Sequence, residues 1–250
     1  MLTEQWCYMR FWLQLKKRAH FFSFRSVKFI SSLSFICLAF YPNLPAEPTE
    51  EKSVFKDHLT EIDQKTVGAI FPYIEKFSSD HNVSLPLILA IMKNESNFDS
   101  KAKSNAGALG LMQLMPQTAF EEIQRNGQRV SYTKLKRQLI HQPRLNINLG
   151  IRYLKWLDEK FETVKNLKLR RELVIASYNA GSMRVKRSFR CASYSCVGRK
   201  ISKKGERYFK GALRKLPKET RDYLKNVKSS MNQFQISTLL PPPRTSSIFG

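Results

Sequence analysis

Acidic residues are scarce in this sequence. Only 20 Asp and Glu stand against 43 Lys and Arg, which gives a formal net charge of +23. Such an excess of cations attracts polyanions, including nucleic acids, anionic membrane surfaces and acidic wall polymers. Charge alone does not select among them, but the sequence contains no zinc-finger or RNA-recognition pattern. We therefore expect no specific nucleic-acid partner.

Near the N-terminus the sequence lacks an apolar run long enough to span a membrane. The uncharged apolar segment at residues 29–40 has 12 residues, whereas a spanning helix needs roughly 20. A basic segment precedes it and a turn-prone, proline-containing segment follows it. This order is typical of a secretory signal. We predict that residues 1–46 are a signal peptide or an uncleaved membrane anchor, and that the protein is exported.

Cysteine is also rare, with four residues in the whole chain. Cys7 and Cys37 fall in the predicted leader, which leaves Cys191 and Cys196 in a segment that we predict to be a loop. In an oxidising compartment this pair is compatible with a disulfide, and two free thiols fit the sequence equally well. No histidine lies near enough in sequence to suggest zinc, so we predict no metal site.

Strand-type alternation of apolar and polar residues is absent, whereas helical spacing recurs through the middle of the chain. Hydrophobic residues make up 42% of the sequence, which is enough to build a core. We predict a mainly α fold, with a linker at 47–58, one domain at 59–234 and a flexible, proline-containing tail at 235–250.

One predicted helix carries a carboxyl group on its apolar face. Ser84 is a good N-cap, Pro86 suits the first turn, and Glu95 follows Ile91 and Met92 at spacings of four and three residues. Burial against such neighbours would raise the pKa of the carboxyl group and suit it to general acid catalysis. Taken alone, however, this pattern fits an ordinary surface glutamate better.

Four further motifs follow Glu95-Ser96 along the chain. They are Gly-Leu-Met-Gln at 110–113, a segment at 146–154 that begins with Asn146, Tyr-Asn-Ala-Gly at 178–181, and a segment at 216–224 that contains Tyr223. Each motif is weak by itself. In this order and rough spacing they closely resemble the catalytic domain of the soluble lytic transglycosylases, over about residues 67–228. The resemblance implies a lysozyme-like fold and an activity on peptidoglycan glycan strands. Together with the predicted export, it implies that the protein is located in the periplasm or cell envelope.

The resemblance also implies roles for particular residues. Glu95 would protonate the bond between N-acetylmuramic acid and N-acetylglucosamine, Ser96 would position the acid or the substrate, and Tyr223 would close the site from the last helix. The residues implied to bind substrate are Ser96, Gly110, Leu111, Met112, Gln113, Tyr178, Asn179 and Tyr223.

The matched motifs supply one clear catalytic acid, because Asp99 matches no second acid of the family and Glu219 is interpreted as structural. Hydrolases with two carboxylates divide the work of acid and of nucleophile or base between them. With a single group, Glu95 would first donate a proton and then accept one from the C6 hydroxyl of muramic acid. A 1,6-anhydro ring would close without water, metal or cofactor.

Two alternatives remain open: a goose-type lysozyme-like hydrolase, and a non-catalytic peptidoglycan-binding protein. The basic segment at 184–210 is interpreted either as a solvated charged loop or as a surface for anionic membrane or wall polymers. A role beside a secretion or motility apparatus is also compatible with a domain of this size.

Overall fold

The computed structural model of the chain describes the backbone of residues 61–239 and the side chains of residues 67–235. The predicted signal or anchor at 1–46, the linker at 47–58 and tail residues 240–250 lie outside the described residues. Across the described part, none of the helices combines the length and the apolar character that a membrane crossing requires.

Helices make up most of the described chain, which confirms the predicted mainly α class. They are α1 (Glu61–His81), α2 (Leu85–Ser96), α3 (Pro116–Arg125), α4 (Tyr132–His141), α5 (Pro143–Lys160), α6 (Leu167–Ala180), α7 (Ser182–Ser188), α8 (Tyr194–Leu213) and α9 (Lys218–Leu239). Between residues 61 and 239, the only extended pairing consists of isolated bridges from Leu109 to Lys103 and Leu114. Helix α9 covers the first residues of the predicted tail, 235–239.

Helix α2 lies in the centre of the domain. Ser84 is its N-cap and Pro86 lies in its first turn, as predicted, and residues 87–92 are all buried. A helix that is apolar on all sides belongs in the interior of a domain. Helices α1 and α9 pack against α2, and α9 also packs against α6. The C-terminal helix is thereby brought against the helix that carries Glu95.

Helices α5 to α9 surround a second cluster of buried residues, which includes Phe161, Leu173, Phe189 and Phe209. The basic segment at 184–210 contributes to this cluster through α7 and α8. It is therefore helical over most of its length, and the loop predicted around the cysteines is limited to the connection at 189–193. Buried apolar residues recur at helical spacing in the segment, but the many cations between them obscured this pattern.

Cys191 and Cys196 form a disulfide in the structure, with their Cα atoms 5.7 Å apart. The bond closes the connection between α7 and α8. Of the two states that the sequence left open, the structure therefore has the bonded one.

Candidate active site

Glu95 lies in the last turn of α2, where the helix ends. Asn97 adopts a left-handed conformation with φ of 49°, and its backbone N–H donates to the carbonyl of Lys93 at 3.1 Å. The side chain of Glu95 is partly buried. Its Oε1 atom accepts a hydrogen bond of 2.6 Å from the hydroxyl of Tyr223 on α9. Two residues separated by 128 positions in sequence thus form one site.

Burial raises the pKa of Glu95 from 4.5 to about 7, because removal from water penalises the carboxylate. The hydrogen bond from Tyr223 acts in the opposite direction, with a smaller effect. The position near the C-terminus of α2 also disfavours a negative charge, since the helix dipole is negative there. Near neutral pH this group can therefore both give and accept a proton.

Two tyrosine hydroxyls surround this carboxyl group and keep their protons. Burial raises the pKa of both Tyr178 and Tyr223 well above 10, and the charge of Glu95 raises them further. Tyr178 donates to the backbone carbonyl of Met112 at 2.7 Å. Asn179, the next residue, is partly exposed. The structure thus places Tyr178 close enough to Glu95 for its charge to act on the hydroxyl.

The Gly-Leu-Met-Gln segment forms a tight turn that is tied to α2. Gly110 has φ of 72°, a conformation that glycine adopts readily. The hydroxyl of Ser96 donates to the carbonyl of Leu111 at 2.8 Å. The amide nitrogen of Gln113 donates to the carbonyls of Ala102 and Gly110 at 3.1 and 3.0 Å. Ser96 and Gln113 therefore hold the main chain of this turn in place.

The side chains of Leu111 and Met112 do not line a groove as predicted. Both are fully buried and belong to the main hydrophobic core. Their main chain is also occupied, since the carbonyl of Met112 accepts from Tyr178 and its N–H donates to Asn146. Their apolar character, which suggested contact with sugar faces, instead reflects packing against α2 and its neighbours.

Asn146 on α5 supports the same turn and was not among the predicted site residues. It is fully buried, and its Oδ1 atom accepts the N–H of Met112 at 2.8 Å. Its Nδ2 atom donates to the carbonyl of Leu109 at 2.8 Å. A Cβ atom at Gly110 would lie 2.5 Å from this Nδ2 atom, so glycine is required there. The signal in the sequence is the motif at 146–154, which belongs to the resemblance but was given no role at the site.

Three other acids lie in or near the motifs, and one of them, Asp222, forms salt bridges with Lys218 and Lys225. Asp99 is exposed and accepts the N–H of Lys101 at 2.8 Å, and Glu219 is exposed in the first turn of α9. Within the described residues, no three His, Cys, Asp or Glu side chains converge as a metal site would require.

Replacing Tyr223 by Phe should raise the pKa of Glu95 above about 7, because the hydrogen bond that stabilises the carboxylate is lost. Titration of ¹³C-labelled glutamate by NMR would measure the change, with Glu95→Gln identifying the signal. Tyr208→Phe is the matched control, since that hydroxyl bonds the carbonyl of Phe189 instead. An unchanged or lowered pKa in Tyr223→Phe would contradict the prediction.

Comparison with known proteins identifies relatives of this domain. A family model described as "Transglycosylase SLT domain" matches residues 72–195. Membrane-bound lytic murein transglycosylase C of Serratia proteamaculans is 35% identical over 135 residues, covering 54% of this chain and 37% of that protein. The protein of the same name from Yersinia pestis is 32% identical over 180 residues, covering 68% of this chain and 48% of that protein. The chain therefore spans less than half the length of these relatives.

Solved structures of similar fold include an inactive mutant of the lytic transglycosylase Slt from Pseudomonas aeruginosa. It is 28% identical with a TM-score of 0.53, and the match covers 72% of this chain and 26% of that one. The 70 kDa soluble lytic transglycosylase Slt70 from Escherichia coli gives 24% identity and a TM-score of 0.53, covering 76% of this chain and 31% of that one. These likenesses confirm the predicted lysozyme-like helical fold.

Proposed function

We propose, from the premise that this chain belongs to the transglycosylase SLT domain family, that it cleaves the glycan strands of murein as a lytic transglycosylase. The observation that carries the proposal is the state of Glu95. Its carboxyl group is partly buried, has a pKa of about 7 and is held by the hydroxyl of Tyr223. A carboxylic acid that stays protonated near neutral pH is what cleavage of a glycosidic bond requires.

In the first step, protonated Glu95 gives its proton to the oxygen that links N-acetylmuramic acid to N-acetylglucosamine. The bond from C1 of muramic acid to this oxygen breaks, the oxygen leaves as a hydroxyl group, and positive charge develops at C1. Glu95 becomes a carboxylate, and the hydroxyl of Tyr223, at 2.6 Å from Oε1, stabilises the new charge.

In the second step, the carboxylate of Glu95 takes the proton of the C6 hydroxyl of the same muramic acid. The C6 oxygen forms a bond to C1, which closes a 1,6-anhydro ring and restores protonated Glu95. Because nucleophile and electrophile belong to one sugar, the step gains the advantage of an intramolecular reaction. A pKa of about 7 lets one group serve as acid and then as base.

The position of the other acids favours this route over hydrolysis. A hydrolase of the two-carboxylate type places a second carboxyl group across the scissile bond. Asp99 and Glu219, two other acids near the motifs, are exposed, and a third, Asp222, forms salt bridges with lysines of α9. The side-chain hydrogen bond of Glu95 comes from a tyrosine. A goose-type hydrolase would act on the same bond and differ in its product.

Product analysis tests the proposal. Purified sacculi are digested with the chain in H₂¹⁸O, and the fragments are examined by mass spectrometry. We expect 1,6-anhydromuramyl ends without ¹⁸O. Reducing ends that carry ¹⁸O would identify a hydrolase, and intact sacculi with bound protein would identify a non-catalytic peptidoglycan-binding protein.

This substrate would place the chain in the cell envelope. The predicted signal or anchor at residues 1–46 supports that location, and the Cys191–Cys196 disulfide suits an oxidising compartment outside the cytoplasm. A specialised role beside a secretion or motility apparatus stays a prediction.

A further inference from the structure

A row of aromatic rings leads away from Tyr178 and from the catalytic carboxyl group. The Tyr153 ring lies 5.5 Å from that of Tyr178, measured between centroids, and stacks on Trp156 at 5.7 Å. Tyr194, at the start of α8, continues the row beyond Trp156. We call Tyr153, Trp156 and Tyr194 the aromatic row. All three side chains are partly exposed, so the row borders the surface of the domain.

Two lysine ammonium groups lie on the far end of this row. The Nζ atom of Lys160 is 4.9 Å from the centroid of Trp156 and 5.7 Å from that of Tyr194, so it bridges the two rings. The Nζ atom of Lys186 lies 5.0 Å from the centroid of Tyr194 and donates to the carbonyl of Ala192 at 2.8 Å. Aromatic faces attract cations, and this attraction holds flexible lysine side chains in place.

The charges of these two lysines are not neutralised by acids among the described residues, since neither forms a salt bridge there. Acids on α5 near Lys160 are already occupied: Asp158 pairs with Arg170 at 3.1 Å, and Glu159 pairs with Lys155 at 3.7 Å.

The other cation over the Trp156 ring is an arginine, and unlike the two lysines it forms salt bridges with acids in the described part of the chain. Arg125 lies 4.2 Å from the centroid of Trp156, but it pairs with Glu121 at 3.6 Å and with the buried carboxylate of Glu122. The positive charge of the guanidinium group is therefore already balanced by these two carboxylates. Lys160 and Lys186 are the cations on the row that are left for an external anion.

We propose that Lys160 and Lys186, held on the aromatic row, bind a carboxylate of the peptide stems that murein strands carry. This inference rests on the proposed function. It adds that the two lysines recognise the peptide stem of the substrate. Both ammonium groups lie against the Tyr194 ring, so a carboxylate at this end of the row would be attracted by two positive charges. Because an ammonium group is a point charge without a fixed fork geometry, it suits a flexible peptide.

The test is a binding measurement with the full chain carrying Glu95→Gln, which prevents cleavage during the experiment. Isothermal titration compares two soluble murein tetrasaccharides, one with its peptide stems and one from which an amidase has removed them. We expect the stem-bearing ligand to bind about tenfold more tightly. Adding Lys160→Gln and Lys186→Gln should remove this preference, while the dissociation constant of the stem-free ligand stays unchanged.

Two further variants distinguish binding at these two lysines from a general effect of the protein's positive charge. Lys160→Arg retains the cation on the rings and should keep most of the preference. Lys203→Gln removes an exposed cation of α8 away from the row and should keep all of it. The inference is overturned if both ligands bind Glu95→Gln equally, or if Lys203→Gln lowers the preference as much as Lys160→Gln. Neither outcome bears on cleavage, which the product analysis decides separately.

Discussion

Replacing Glu95 by Gln should reduce the release of anhydro-ended fragments from sacculi by about a thousandfold or more. Positioned acid and base groups contribute roughly 10²- to 10⁴-fold each, and here one group serves in both steps. The glutamine amide has nearly the same size and can still accept the hydrogen bond of Tyr223, but its N–H groups are too weakly acidic to protonate the glycosidic oxygen. The initial rate of fragment release near pH 6 measures the loss.

Glu219→Gln is the matched control for this experiment. It makes the same chemical change at an exposed glutamate in the first turn of α9, and we expect its rate to equal that of the unchanged chain. If Glu95→Gln releases fragments at a comparable rate, Glu95 is not the catalytic acid. If both variants lose activity together, the loss reflects damage to α9 or to the fold.

Glu95→Gln should also stabilise the fold, by up to about 3 kcal/mol at pH 8. The pKa of Glu95 is about 7 in the folded state and 4.5 in the reference state that stands for the unfolded chain. Between these values the folded chain keeps a proton that the unfolded chain releases. The free energy of unfolding of the unchanged protein therefore falls as pH rises from about 4.5 to 7, and the penalty is complete above pH 7.

The glutamine variant does not titrate at this position, so it escapes the penalty. The difference in free energy of unfolding between the variant and the unchanged protein should be largest at pH 8. It should vanish near pH 4, where the carboxyl group is protonated in both the folded and the unfolded chain. Urea unfolding of both proteins at these two pH values would measure the difference through the denaturation midpoint. An advantage of equal size at both pH values would mean that Glu95 is not a buried ionisable group.

The sequence was sufficient to predict the position of Glu95. A proline in the first turn and a continuous apolar stretch define α2 by local effects that do not depend on the rest of the chain. Ser84 occupies the N-cap position without a capping hydrogen bond from its side chain. The resemblance then identified the turn at 110–113 and the tyrosine of α6. These features could be predicted because each motif lies within a few consecutive residues.

Features that depend on distant packing could not be predicted in the same way. Burial of Leu111 and Met112 depends on how the turn packs against α2 and α5, and hydrophobicity alone does not separate a core contact from a ligand contact. The support from Asn146 depends on a contact between α5 and a turn 34 residues earlier in the chain. In α8 the cations dominated the composition, and only the structure shows which face is buried.

The hydroxyl that holds the carboxyl group comes from a part of the chain that the family model does not reach, since its match ends at residue 195. A chain truncated at that boundary would lack α9 and the apolar side chains of Val227 and Met231 that it contributes to the core. Water would then reach Glu95, its pKa would return towards 4.5, and the group would be ionised at neutral pH. Under the proposed function, a fragment that acts as an acid catalyst must therefore extend beyond the segment that the family model matches.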